Sequence, residues 1–176
     1  LGVLIFLICE SNLTIAIARP EDTPETLKEK VEVATIIGTI QSMATNFPGL
    51  RPIWKQNCEE ERLLGVDING WVDCPVLLPS NPELPKTLKE LKDHAVETNK
   101  KYAAILGINV SAAITCVKPS GNSSQLFNCS SGIHPRHFKY YIRNVRVQAQ
   151  SPLKKLMEDV GVPMDPENNQ TKENAN

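Results

Sequence analysis

Two stretches of helical periodicity, each following a short apolar or β-branched run, constrain this chain more than any other feature. Leu27, Val31, Ala34, Ile37 and Ile40 recur at the spacing of one helix face, and Leu84, Leu88, Leu91, Ala95, Tyr102 and Leu106 do so again. The first helix has a clear start, because Thr23 suits the N-cap and Pro24 fits the first helical position, where a missing N–H costs nothing. The segment from Asn46 to Gly49, with Pro48, ends it. The second helix is expected from about Pro85 to Leu106, with Gly107 at the C′ position.

The intervening segments read as strands and loops. The apolar run that opens the chain, bounded by Glu10, Ser11 and Asn12 and continuing through Ala18, reads as a buried strand followed by a turn. Leu50 to Asn81 reads as a helix end, a short strand near Leu63 to Ile68 and a loop, with a turn at Asn69-Gly70. Ser111 to Val117 is strand-like by its apolar and β-branched content, and Tyr140 to Val147 alternates well enough for another strand. Ser151 and Pro152 start a last short helix, with Leu153, Leu156, Met157 and Val160 expected inside and Gly161 closing it. The order strand, helix, strand, helix, strand, strand, helix points to an α/β architecture in which helices cover a sheet.

With 176 residues, 41% of them hydrophobic and 22% charged, the chain can bury a real core. Its 19 basic and 20 acidic residues are interspersed, so the basic block expected of a nucleic-acid or membrane-surface binder is missing. Cys9, Cys58, Cys74, Cys116 and Cys129 are odd in number and show no C-x-x-C spacing, which implies neither a metal site nor a disulfide framework and favours a reducing, cytoplasmic setting. A secreted glycoprotein is the competing reading. It rests on N-x-[ST] sequons at Asn12, Asn109, Asn122, Asn128 and Asn169 and on the apolar start. That start has no basic residues before it and no small-residue cleavage site after it, and it is too short to span a bilayer. The initial Leu, where Met would stand, suggests a fragment of a longer product.

Two segments carry chemistry. Pro119 to Ser124 follows a strand and offers a glycine, three hydroxyls and a carboxamide, the groups needed to surround an anionic oxygen with donors. Taken alone it reads as a surface turn of small residues. Gly132 to His137 brings two imidazoles and the Arg136 guanidinium together, either as an anion or proton-transfer group or as a His-rich turn. No pair of acids stands out as a general acid and base.

Longer strings say more. Ser111 to Gly121, Ser131 to His137 and Tyr140 to Arg143 resemble the consecutive strand, phosphate loop and following strand of adenosylcobalamin-dependent (class II) ribonucleotide reductases. Ala18 to Thr23, Ala34 to Gln41 and Glu60 to Val66 are similar to segments of the same family in the same order, so the resemblance runs from about Asn12 to Pro163. It implies part of a ten-stranded α/β barrel, incomplete here, with residues 1–11 a divergent start at the finger-loop end, 12–163 partial catalytic barrel and 164–176 a polar tail. It also implies reduction of ribonucleoside triphosphates by a thiyl radical generated with adenosylcobalamin, with thioredoxin or a similar dithiol as reductant.

Carried over by position, Ser120, Gly121, Asn122, Ser123 and Ser124 sit where the family holds substrate phosphates, with Asn122 and Ser123 in place of the usual Thr and apolar residue. Asn12-Leu13-Thr14 matches the stretch after one redox cysteine, and that cysteine falls on Ser11, whose hydroxyl forms no disulfide. Cys9 lies two residues away and substitutes only if the loop shifts. The family's radical cysteine falls just ahead of Leu1, and Gly2 occupies the position of its neighbouring Glu. The expectation is therefore a piece of a reductase that is inactive by itself. The alternative is a non-catalytic remnant that keeps the fold and nucleotide binding.

Overall fold

The computed structural model describes residues 3–8, 11–118, 120 and 123–171. The chain divides into two compact units, Leu1–His137 and Phe138–Asn176.

In the first unit the opening apolar run forms two strands where one was expected. β1 (Val3–Ile8) pairs antiparallel with β2 (Ser11–Ile17), with Ile8 opposite Ser11. β2 pairs in parallel with β3 (Leu64–Asn69), which gives the order β1-β2-β3. The expected strand over Ser111 to Val117 is present only as a single parallel bridge, Val66 to Thr115. Its backbone still runs beside β3. Leu64 and Val66 donate to the carbonyls of Ala113 and Ile114 at 2.9 and 2.8 Å, and Cys116 N–H returns a bond to Val66 O at 3.0 Å.

α1 (Pro24–Gln41) begins as its residues dictate, with a reciprocal cap in which Thr26 N–H donates to Thr23 Oγ1 and Thr23 N–H to Thr26 Oγ1. Its buried face is rotated from the expected one: Leu27, Val31 and Ala34 are buried, but so are Thr35, Gly38 and Thr39, while Ile40 is exposed. The threonines tolerate burial because each hydroxyl donates to the carbonyl four residues back, Thr35 to Val31 O and Thr39 to Thr35 O, both at 2.7 Å. α2 (Pro52–Glu61) is a full helix where only a helix end was expected. α3 (Leu84–Leu106) ends at Gly107, whose φ of +67° is the left-handed turn that closes a helix.

Helices α1 and α3 cover one face of the sheet. Ala16, Ala18, Leu64, Val66, Ile68 and Ile114 point toward them and pack with Leu27, Val31, Leu91 and Ala95. Alternation puts Ile15, Ile17, Asp67 and Asn69 on the opposite face, where Ile15 and Ile17 pack with Cys116, Phe127 and Cys129. Every residue of β3 is buried, as a strand covered on both faces requires. One buried polar group ties the layers together. The Asn99 carboxamide donates to Thr39 Oγ1 (3.0 Å) and Ser111 Oγ (2.9 Å) and accepts from Ser111 N–H (3.0 Å).

In the second unit Tyr140 to Val147 is not a strand, because β-branched and aromatic content needs a partner strand and none pairs with it among the described residues. α5 (Pro152–Asp159) is capped by Ser151, whose hydroxyl accepts from Leu153 N–H. Of its expected inward residues Leu153, Leu156 and Val160 are exposed and Met157 is half-buried, since among the described residues no second layer of this unit covers them.

Candidate functional site

The C-terminal ends of β2, β3 and the 111–118 segment lie side by side, which is where ligands meet open parallel sheets. The chain leaves them through the turn after Ala18, the turn at Gly70 and the loop after Lys118. Asn69, the last residue of β3, is fully buried. Its Oδ1 accepts from Gly132 N–H at 2.9 Å, and its Nδ2 lies 3.5 Å from Ser123 Oγ, so one carboxamide reaches both the 120–124 and the 130–132 segments. Gly70 N–H donates to Ser130 O (3.0 Å), and Asp73 Oδ2 accepts from Ser130 N–H (2.6 Å).

Of the five residues expected to surround a phosphate, Ser120, Ser123 and Ser124 are described and are buried, whereas Gly121 and Asn122 lie outside the described residues. Ser123 and Ser124 begin the short helix α4 (Ser123–Leu126). The Ser123 hydroxyl donates to Ser120 O (2.7 Å), and Ser120 bonds to Ser131 Oγ through both its N–H (3.2 Å) and its hydroxyl (3.0 Å). These serines frame the loop, and a hydroxyl would have to rotate away from its present partner to meet an anion. Ser11 opens β2, and Cys9 lies outside the described residues. Cys58, Cys74, Cys116 and Cys129 are free thiols. Among the described residues no cluster of His, Cys, Asp and Glu is arranged to hold a metal ion.

The segment Gly132 to His137 contributes differently from its composition. Both imidazoles are exposed, and Arg136 grips Asp73 in two bonds of 3.0 Å. Burial pushes the Asp73 carboxyl up, but the Arg136 bonds and charge and the Ser130 N–H outweigh it and hold the group below its ordinary value. Asp67 is the opposite case. Burial dominates and raises it to about 6, only partly offset by the N–H groups of Ile68 and Lys118. Burial and then the Asp67 charge push the Cys116 thiol up to about 11, which makes it a poor nucleophile at neutral pH. Asn69, Asp67 and Asp73 escape sequence reasoning because Asn69-Gly70 reads as a turn; their only signal is polar residues in and just after an otherwise apolar strand.

No protein-family model matches the chain. The adenosylcobalamin-dependent ribonucleoside-triphosphate reductase of Lactobacillus gasseri is 34% identical over 87 residues, which is 49% of this chain and 12% of that protein. A probable enzyme of the same name from Dictyostelium discoideum is 35% identical over 86 residues, 45% of this chain and 11% of that one. The chain therefore spans about an eighth of the length of the curated relatives it matches. A crystal structure of a B12-dependent (class II) ribonucleotide reductase superposes with a TM-score of 0.51 and 19% identity, over 74% of this chain and 22% of the other. That likeness supports the α/β fold. No helix among the described residues is long and apolar enough to cross a membrane. Two independent comparisons thus agree with the reading of the motifs: the chain is similar in sequence, over about half its length, to adenosylcobalamin-dependent ribonucleoside-triphosphate reductases, and in fold to a class II enzyme.

Proposed function

We propose that this chain is part of the catalytic barrel of a class II ribonucleoside-triphosphate reductase and that its contribution is to hold the substrate's phosphates on the loop 119–124. Residues 12–163 are the extent of that partial barrel, and the ten-stranded closure belongs to the larger assembly. The observation that carries the reading is the position of the loop. Ser120 and Ser123 follow a segment running parallel to β3 and are held by the Ser131 hydroxyl and the Asn69 carboxamide, so that the loop is anchored before an anion arrives and only a hydroxyl has to turn to meet it. Within this chain the chemistry is binding and orientation. Ser120 and Ser123 set the loop's two ends, and Gly121 between them carries no side chain that would stand in the way of a phosphate.

The reduction itself needs groups this chain does not place together. Ser11 stands at a redox position and cannot form a disulfide, so transfer of electrons from thioredoxin or another dithiol would fail there. Adenosylcobalamin supplies the radical in the enzymes that carry its name. The charged groove of about 490 Å³ near Arg19 and Asp73 does not fit a corrin ring, which needs a broad apolar face. The chain alone should form no deoxynucleotide with adenosylcobalamin, a ribonucleoside triphosphate and a dithiol. Phosphate holding is tested by measuring triphosphate affinity in a version of the chain extended to the full barrel, then in its Ser120→Ala and Gly121→Val variants. Loss of one bond to a charged acceptor weakens binding by roughly ten- to a hundredfold. Unchanged affinity in both folded variants overturns the assignment.

A further inference from the structure

A second polar concavity lies beside this loop and shares none of its residues. It encloses about 490 Å³ between Arg19, Pro20 and Glu21 of the β2–α1 turn, Asp73 after β3, and Asn128 and Arg136. Both guanidinium groups reach the same acceptor: Arg19 Nη1 lies 3.3 Å from Asn128 O and Arg136 Nη2 lies 2.9 Å from it. The two nitrogens are therefore no further apart than the sum of those distances, 6.2 Å. Asn128 presents that carbonyl from a left-handed conformation, φ +48°, which asparagine tolerates better than most residues.

The charges in the concavity are unevenly matched. Asp73 pairs with Arg136. The other carboxylate on the turn, Asp22, is held by Lys30 Nζ at 2.6 Å. Among the described residues Arg19 has no carboxylate partner; its side chain lines the cavity and its guanidinium makes one bond, to Asn128 O. Glu21 also lines the cavity, is exposed and pairs with no cation among the described residues, so it competes with an incoming anion rather than occupying the Arg19 fork. A singly charged carboxylate gains little against that competitor. A dianionic oxyanion can take two parallel N–H bonds from the Arg19 fork while facing the Arg136 charge.

We infer that the concavity between Arg19 and Arg136 is a binding site for a phosphate group, of the kind carried by a phosphate monoester, distinct from the 119–124 loop. The test uses the full chain and inorganic phosphate, titrated at fixed ionic strength because exposed charges are screened by salt, with backbone amide shifts read residue by residue by NMR. The expected result is saturable movement of the Asp73 and Asn128 amides. Arg19→Ala should weaken that binding by roughly ten- to a hundredfold, and Glu21→Gln should tighten it by about threefold, as removal of one nearby exposed like charge does. The opposite signs separate a specific site from a general loss of positive charge. Shifts confined to Ser123 and Ser124 would place phosphate on the loop instead and overturn the inference. So would an affinity that Arg19→Ala leaves unchanged, or succinate binding as tightly as phosphate.

Discussion

Substituting Gly70 by alanine measures how tightly the strand ends are joined beneath the candidate site. Gly70 has φ +87°, and a Cβ built there runs into the Ala18 carbonyl oxygen, well inside contact distance. Gly107 is the internal control: its φ is +67°, and a Cβ there meets nothing within 4 Å. Gly107→Ala should therefore cost only the left-handed backbone penalty, about 1 kcal/mol. Gly70→Ala carries the same penalty and must also push Ala18 away. Ala18 is fully buried and its N–H donates to Asn69 O at 2.8 Å, while Gly70 N–H donates to Ser130 O at 3.0 Å. Losing both bonds adds about 1 kcal/mol each, for a total of about 3 kcal/mol. Urea denaturation of the two variants, with the slope checked for constancy, reads the difference directly. The reasoning is refuted if Gly70→Ala is no more destabilising than Gly107→Ala.

Further outcomes concern the buried polar groups and the cysteines. Lys30→Met strands Asp22, whose side chain is 5% exposed, and should cost about 3 kcal/mol at neutral pH by thermal or urea unfolding. Burial raises Asp22, but the Lys30 and Thr26 bonds, the Arg19 N–H and the Lys30 charge together depress it, so the parent should lose stability as pH falls below about 4 and Lys30→Met should flatten that slope. Asp67 has the reverse sign: raised from 3.8 to about 6, it favours the folded state while protonated, so stability declines as pH rises from about 4 to 6, by at most about 3 kcal/mol, and Asp67→Asn should abolish that decline. Asn69→Ala should speed amide exchange at Gly132 without melting α1; exchange equal to the parent's would show that the carboxamide pins nothing. After denaturation without reductant all five cysteines should titrate as thiols, and recovery of fewer than four would contradict the free thiols seen at Cys58, Cys74, Cys116 and Cys129.

Some of this architecture can be read from residue order. The start of α1 at Thr23-Pro24 and the end of α3 at Gly107 are local events, decided by one cap and one left-handed residue, and both lie where the residues put them. The segment 140–147 shows the limit of such reading, since its alternation describes a strand whose existence depends on a partner elsewhere. The buried face of α1 is missed for a related reason. Thr35 and Thr39 count as polar in any periodicity, yet their hydroxyls are satisfied within the helix and the side chains go inside. At the candidate site the loop serines are visible in the sequence, but Asn69 and Asp73 gain their roles only from segments about 60 residues further along the chain, at separations of 63 and 57 residues. The resemblance to the reductases locates the loop without showing what holds it.

The Asn99 carboxamide has a consequence for which changes of length the chain can accept. It fixes Ser111 at one end of the segment beside β3, and Asp67 Oδ2 accepts from Lys118 N–H at 3.3 Å at the other. Between those two anchors the segment works as a measured spacer. One inserted or deleted residue would leave an anchor unmet and would move the Ala113, Ile114 and Cys116 backbone bonds to β3 out of register. Homologous chains should therefore keep a constant count from Ser111 to Lys118, the distance that sets where the chain leaves the sheet ahead of Ser120.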